Sequence, residues 1–158
     1  MSVAFRREGD DEHLEPKFEL PIPPGPNLVT PRGLALIGQR VAALEASLAA
    51  LQAEGAQEER LVAVRRDLRY WQTRQVTAEL VAAPTGATVE IGTTVTFRLG
   101  GRERRLAIVG HDEADPDSGA IAFSAPLARA LMGAEVGDLL PFGGKDDAIE
   151  VLAIAAGQ

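Results

Sequence analysis

The side chains with chemistry to offer fall in three stretches. Glu54, Glu58 and Glu59 surround Gly55; Arg60, Arg65, Arg66 and Arg69 follow closely; and Asp112, Glu113 and Asp115 crowd a loop that runs from His111 to Gly119. Glu58 and Glu59 open a helical pattern, where the helix dipole favours carboxylates by about 0.3 to 1 kcal/mol. Glu54 closes the preceding pattern, where a negative charge is mildly disfavoured. It is therefore the most suggestive of the three acids, with Glu58 and Glu59 as further candidates at the same tip. The arginines read either as a solvated helix face or as a contact surface for phosphates or an acidic channel wall. The acidic loop reads either as a solvated turn or as a partner-facing patch. Catalysis by the chain itself is not expected. His13 and His111 are isolated, cysteine is absent, and no nucleophile, phosphate loop or ligand-spaced cluster occurs.

The tip acids and arginines need a rod to carry them. Leu34, Ile37, Val41, Leu44, Leu48 and Leu51 recur at alternating intervals of three and four, as do Leu61, Val64, Leu68, Trp71, Gln75 and Ala78. Each series is an a/d seam, and the break at Glu54-Gly55-Ala56 leaves room only for a tight reversal. The pattern predicts an antiparallel two-helix coiled-coil hairpin over residues 30–83, each arm roughly 35 Å long. Thr30 and Pro31 supply an N-cap and first-turn residue, Gly55 a left-handed stop, and Pro84 a terminator. Gly33 and Gly38 weaken the first helix by up to about 1 kcal/mol each.

Residues 84–158 change period. Val95, Phe97 and Leu99 alternate with polar residues, and Gly100-Gly101 marks a hairpin into a strand near Arg102–Val109. A short strand over 120–123, a short helix opened by Pro126, and strands near 138–142 and 148–154 complete an expected antiparallel sheet with one helix. The fold class is α+β. Residues 1–29, rich in acids and proline, read as a flexible tail.

Composition narrows the setting. Net charge is −7, and the segments 1–29, 30–83 and 84–158 contribute −3, +1 and −5. An acidic globular half disfavours broad attraction to nucleic acid. The charged N-terminus and the lack of an evident apolar span lead to an expectation of a cytoplasmic monomer with no membrane association.

The second half resembles the C-terminal domain of the bacterial Gre family of transcription elongation factors and their shorter relative Rnk. The likeness rests on the runs Ile91–Thr96, Ile108–Asp115, Ser124–Gly133 and Val136–Asp138, together with the helical hairpin before them. The resemblance implies an FKBP-like globular domain that docks on RNA polymerase at the mouth of its secondary channel, with a finger entering that channel. Ser124, Pro126, Asp112, Glu113 and Asp115 would then dock, and Arg60, Arg65, Arg66 and Arg69 would meet RNA or the channel wall. Nascent RNA would be an indirect partner. In cleavage-competent members tip acids help hold a catalytic Mg2+ that is shared with the polymerase, so no cofactor of the chain's own is implied. Mg2+ prefers oxygen ligands and lowers the pKa of its bound water. Ala125 stands where the family pattern has serine, the family's cleavage signature at the tip is absent, and the finger is short. Stimulation of transcript cleavage and a non-cleaving, Rnk-like regulator therefore both stay open, beside an FKBP-like peptide-binding module.

Overall fold

The computed structural model describes residues 19–157, so most of the expected tail, 1–18, lies outside the described residues. The chain divides into two compact units. Among the described residues, one joins 19–25 with Ile37–Thr77; the other joins Pro26–Leu36 with 78–157.

Most of the helical hairpin belongs to the first unit, while the opening residues of its first helix belong to the second. Helix α1 spans Pro31–Ala53 and α2 spans Glu58–Thr77, at 23 and 20 residues. At 1.5 Å per residue the arms are roughly 35 and 30 Å long. Their antiparallel course is visible in cross-contacts: the Arg40 guanidinium lies 5.7 Å from the Trp71 ring centroid, and a Cβ at Gly38 would lie 3.8 Å from Gln75 Nε2. The reversal is a Schellman motif. Gly55 has φ +68, its N–H donates to Gln52 O at 3.2 Å, and Ala56 N–H reaches back to Leu51 O at 3.0 Å.

The seam differs from its sequence pattern at both ends. Ile37, Val41, Leu51 and Leu68 are buried, but Leu34 is exposed, Gln75 is exposed, and Ala78 lies beyond the helix. The buried side chain near the end of α2 is Arg74, at 2% exposure. A guanidinium can fill a seam position because its aliphatic stem packs while its head bonds, and polarity concealed it from a pattern built on apolar residues. Helix α1 is also long and apolar enough, by length and composition alone, to cross a membrane, contrary to the sequence expectation. Its alanines raise the average without forming an unbroken run.

Helix α2 stops before the expected proline because backbone pairing captures the chain. Strand β1 (Leu28–Val29) pairs in parallel with β2 (Glu79–Leu80), with Glu79 N–H donating to Asn27 O and Val81 N–H to Val29 O. Residues 26–29, read from sequence as the end of a flexible tail, thus belong to the globular unit, with Asn27 and Val29 buried.

The globular unit is a five-stranded sheet in the order β5-β4-β3-β7-β6. Its strands are β3 (Thr93–Leu99), β4 (Arg102–Val109), β5 (Ala120–Ala122), β6 (Leu139–Phe142) and β7 (Lys145–Ala156). Helix α3 (Pro126–Leu131) buries Ala128 and Leu131 in a core with Val89, Val95, Phe97, Ile108, Ile149 and Val151. The sheet is mixed rather than antiparallel: β4 and β5 run parallel, with Ile108 opposite Ile121. The loop between them, expected as a simple turn, carries the chain back to the level of Ala107 in the C-terminal part of β4 through two 3-10 turns, His111–Glu113 and Pro116–Ser118.

Candidate functional site

Parallel pairing has a direct consequence for the residues expected to dock. The segments that leave the C-terminal ends of β4 and β5 emerge at the same end of the sheet, bringing His111 beside Ser124. His111 Nε2 and Ser124 Oγ are 2.7 Å apart, and the His111 and Phe123 rings lie 4.9 Å apart at 55°. His111, isolated in sequence, is therefore part of the constellation. Only its place before an acidic run hinted at this.

Each predicted docking residue has a distinct environment. Ser124 and Pro126 are exposed; Pro126 occupies the first turn of α3, where its missing N–H costs nothing, after an extended Ala125. Asp112 and Glu113 are half-buried on the first 3-10 turn. Asp115 is separated from this group: it forms a bridge with Ala120 at the opposite, N-terminal end of β5, and its carbonyl accepts the Ala120 and Ser118 N–H groups. Its exposed carboxylate shapes the loop surface but does not join the Ser124 group.

Glu113 is committed inward. Its Oε1 accepts the Thr30 hydroxyl at 2.5 Å, while Thr30 Oγ1 accepts the Gly33 N–H at 3.0 Å as the N-cap of α1. Gly33, which sequence propensity marks as a weakness, makes this approach possible: a Cβ there would meet Glu113 Oε1 at 2.8 Å. Gly110 likewise lets two backbones meet, since its Cβ would lie 2.5 Å from Leu28 O. The loop that offers Ser124 its histidine is thus built onto the segment that starts α1.

At the hairpin tip the carboxylates do not converge. Glu54 pairs with Arg60 at 3.2 Å and Glu58 with Arg65 at 3.1 Å, all four being well exposed. Glu59 makes no hydrogen bond or ion pair among the described residues. Nor is any group of three or more His, Asp or Glu placed to hold a metal ion among those residues. Glu54, singled out as badly placed at a helix end, has its charge offset by a neighbouring cation.

The remaining arginines on α2 are also paired. Arg66 bonds Asp67 through Nε and Nη2, and Arg69 forms a fork with Glu19 through Nε at 2.9 Å and Nη2 at 2.5 Å. Exposed pairs of this kind contribute about 0 to 1 kcal/mol, so a phosphate or carboxylate of a partner could replace the internal acid at little cost.

One cavity of about 380 Å³ opens beside the start of α1, lined by Thr30, Pro31, Arg32, Val81, Ala82, Ala83, Pro84, Ile91, Gly92 and Gly157. No aromatic ring lines it, so it lacks the aromatic cradle that an FKBP-like peptide-binding module would use.

Comparison with known proteins places these features in a family context. Residues 83–156 match the model of the family described as transcription elongation factor, GreA/GreB, C-terminal domain. Transcription elongation factor GreA of Thermomicrobium roseum is 38% identical over 66 residues, 40% of this chain and 42% of that protein. GreA of Macrococcus caseolyticus is 50% identical over 52 residues, 32% and 33% of the two chains. The chain thus aligns with less than half the length of these curated relatives. Among solved structures, a GreA/GreB factor from Nitrosomonas europaea superposes with a TM-score of 0.39 at 21% identity, covering 84% of this chain and 99% of that one. GreA factor homolog 1 of Thermus thermophilus gives 0.37 at 18%, covering 82% and 99%.

Proposed function

We propose that residues 83–156, which match the GreA/GreB C-terminal domain, form such a domain, and that the protein is a Gre-type elongation factor that docks on bacterial RNA polymerase. The family match over this half is the observation that carries the reading. Ser124, Pro126 and Asp112 supply the docking surface, with His111 beneath Ser124 and Glu113 holding the loop to Thr30. The helical hairpin serves as the finger in the secondary channel.

Of the two modes left open by the sequence, a non-cleaving occupant of the channel fits the tip better. Stimulating cleavage would require carboxylates to converge on the polymerase's Mg2+, and Mg2+ demands near-ideal octahedral oxygen geometry. Here the family's cleavage signature is absent from the tip, and Glu54 and Glu58 turn to separate arginines, Arg60 and Arg65, without converging on a common point. The chain contributes no catalytic group of its own; its effect is exerted on the polymerase.

The test is transcript cleavage in backtracked elongation complexes with an authentic GreA present. The protein is expected to slow GreA-stimulated cleavage as its concentration rises, and to stimulate none alone. Cleavage stimulated by the protein alone and lost in Glu54→Ala would instead establish the active-factor mode.

A further inference from the structure

The hairpin formed by β3 and β4 carries a charge imbalance that the docking reading does not use. Four of the six basic residues after position 83 lie within it, Arg98, Arg102, Arg104 and Arg105, in a half whose net charge is −5. Register sorts them by face. Arg98 lies opposite Glu103 on β4 and Glu150 on β7, and bonds the latter at 2.9 Å. Arg105 lies opposite Thr96, on the same face as Arg98 because strand side chains repeat every two residues. That face has two arginines and two glutamates and is balanced.

Arg102 and Arg104 lie on the other face, opposite Leu99 and Phe97. The Arg104 guanidinium sits 5.8 Å from the Phe97 ring centroid, held by the ring while its N–H groups stay available. Both arginines are exposed, and neither makes an ion pair among the described residues. This side carries two uncompensated cations.

The same stretch is a free strand edge. Pairing of β4 with β5 begins only at Ala107, whose N–H donates outward to Gly119 O at 2.8 Å. Since alternate residues of a strand direct their N–H groups the same way, the Glu103 and Arg105 N–H groups point to that outer side, beyond the end of β5. Gly119 covers the Arg105 carbonyl, so an added strand would enter from the hairpin end, in line with β5.

We propose that the Arg102–Arg105 edge is a strand-addition site for an acidic, extended polypeptide segment of a partner. Main-chain bonds to the Glu103 and Arg105 amides supply affinity, and Arg102 and Arg104 select acidic side chains. Basic residues on an edge deter neutral or basic strands from pairing; the same charges favour an acidic one. A polypeptide main chain can pair with the outward Glu103 and Arg105 amides at strand spacing, which a nucleic acid backbone cannot do, and this makes polypeptide the better match.

The test is an NMR titration of the full-length protein with an eight-residue peptide of alternating Glu and Val. Lys-Val peptide and a 12-nucleotide single-stranded RNA serve as comparisons. The Glu-Val peptide is expected to shift and protect the Glu103 and Arg105 amides, with affinity reduced at least tenfold in R102E/R104E. Arg105→Pro, which removes an outward N–H without touching the β3 ladder, is expected to abolish the shifts. The proposal is overturned if the peptide leaves these amides unmoved, if R102E/R104E binds as tightly as wild type, or if RNA binds this edge and the peptide does not.

Discussion

Thr30 and Glu113, 83 positions apart in the chain, share a hydrogen bond at the first turn of α1. The threonine hydroxyl caps the helix through Gly33 N–H and donates to the glutamate. One buried hydroxyl, at 3% exposure, thus satisfies a helix end and fixes the loop that carries His111. Thr30→Val removes both bonds while keeping the shape, and is expected to destabilise the protein by about 1 to 2 kcal/mol, within the range for lost N-caps. Urea unfolding followed by circular dichroism checks this; a change under about 0.3 kcal/mol would show that the bond is incidental.

Gly110→Ala tests close backbone approach. Its new Cβ would press on Leu28 O, which belongs to main chain and cannot rotate away. A loss of about 1 to 3 kcal/mol is expected, as for other overpacked sites. Gly100→Ala, in an open turn at φ +60, has only conformational strain to meet and is expected to cost about 1 kcal/mol. Equal losses from the two substitutions would remove the contact with Leu28 from the account.

Arg74 and Arg69 separate buried from exposed guanidinium chemistry. Arg74 is 2% exposed and engaged by a partner, so Arg74→Ala loses packing and leaves that partner unmatched, at about 3 kcal/mol or more. Arg69, half-exposed in its fork with Glu19, is expected to cost less than about 1 kcal/mol as Arg69→Ala. Thermal unfolding of the two variants under identical conditions should rank them in that order.

These contrasts show how much of the molecule could be read in advance. The hairpin was legible because Ile37, Val41, Leu51 and Leu68 keep helical spacing, and its reversal because Gly55 fits a left-handed stop. The β3–β4 turn was legible in Gly100-Gly101. Arg74 was not, since a seam pattern tests for apolarity and a buried arginine fails that test. Neither was the β1–β2 pair: two-residue strands have no period, and their pairing is set by residues about 50 positions apart. The parallel β4–β5 pair was missed for a similar reason, because alternation gives a strand's faces and not its direction. With it went the nearness of His111 to Ser124. The proposed docking residues were singled out only through family resemblance, and the inward commitment of Glu113 depended on a contact with Thr30 that local sequence does not encode.

The tip makes its own prediction. Glu54→Ala removes one exposed ion pair and is expected to leave stability within about 0.5 kcal/mol of wild type, whereas Glu58→Ala/Glu59→Ala also removes two first-turn carboxylates and is expected to cost about 0.5 to 2 kcal/mol. If the finger occupies the channel without lending metal ligands, these variants also keep their effect on GreA-stimulated cleavage. A change in that effect without a change in stability would assign the acids a direct part in the mechanism.

The most direct test of the central claim is displacement of fluorescently labelled GreA from RNA polymerase core enzyme by the unlabelled protein. The wild type is expected to displace it in a saturable way, and Ser124→Ala/Pro126→Ala to need at least tenfold more protein while remaining folded. Failure of the wild type to displace GreA at any accessible concentration, or displacement unaffected by the double substitution, would contradict the account.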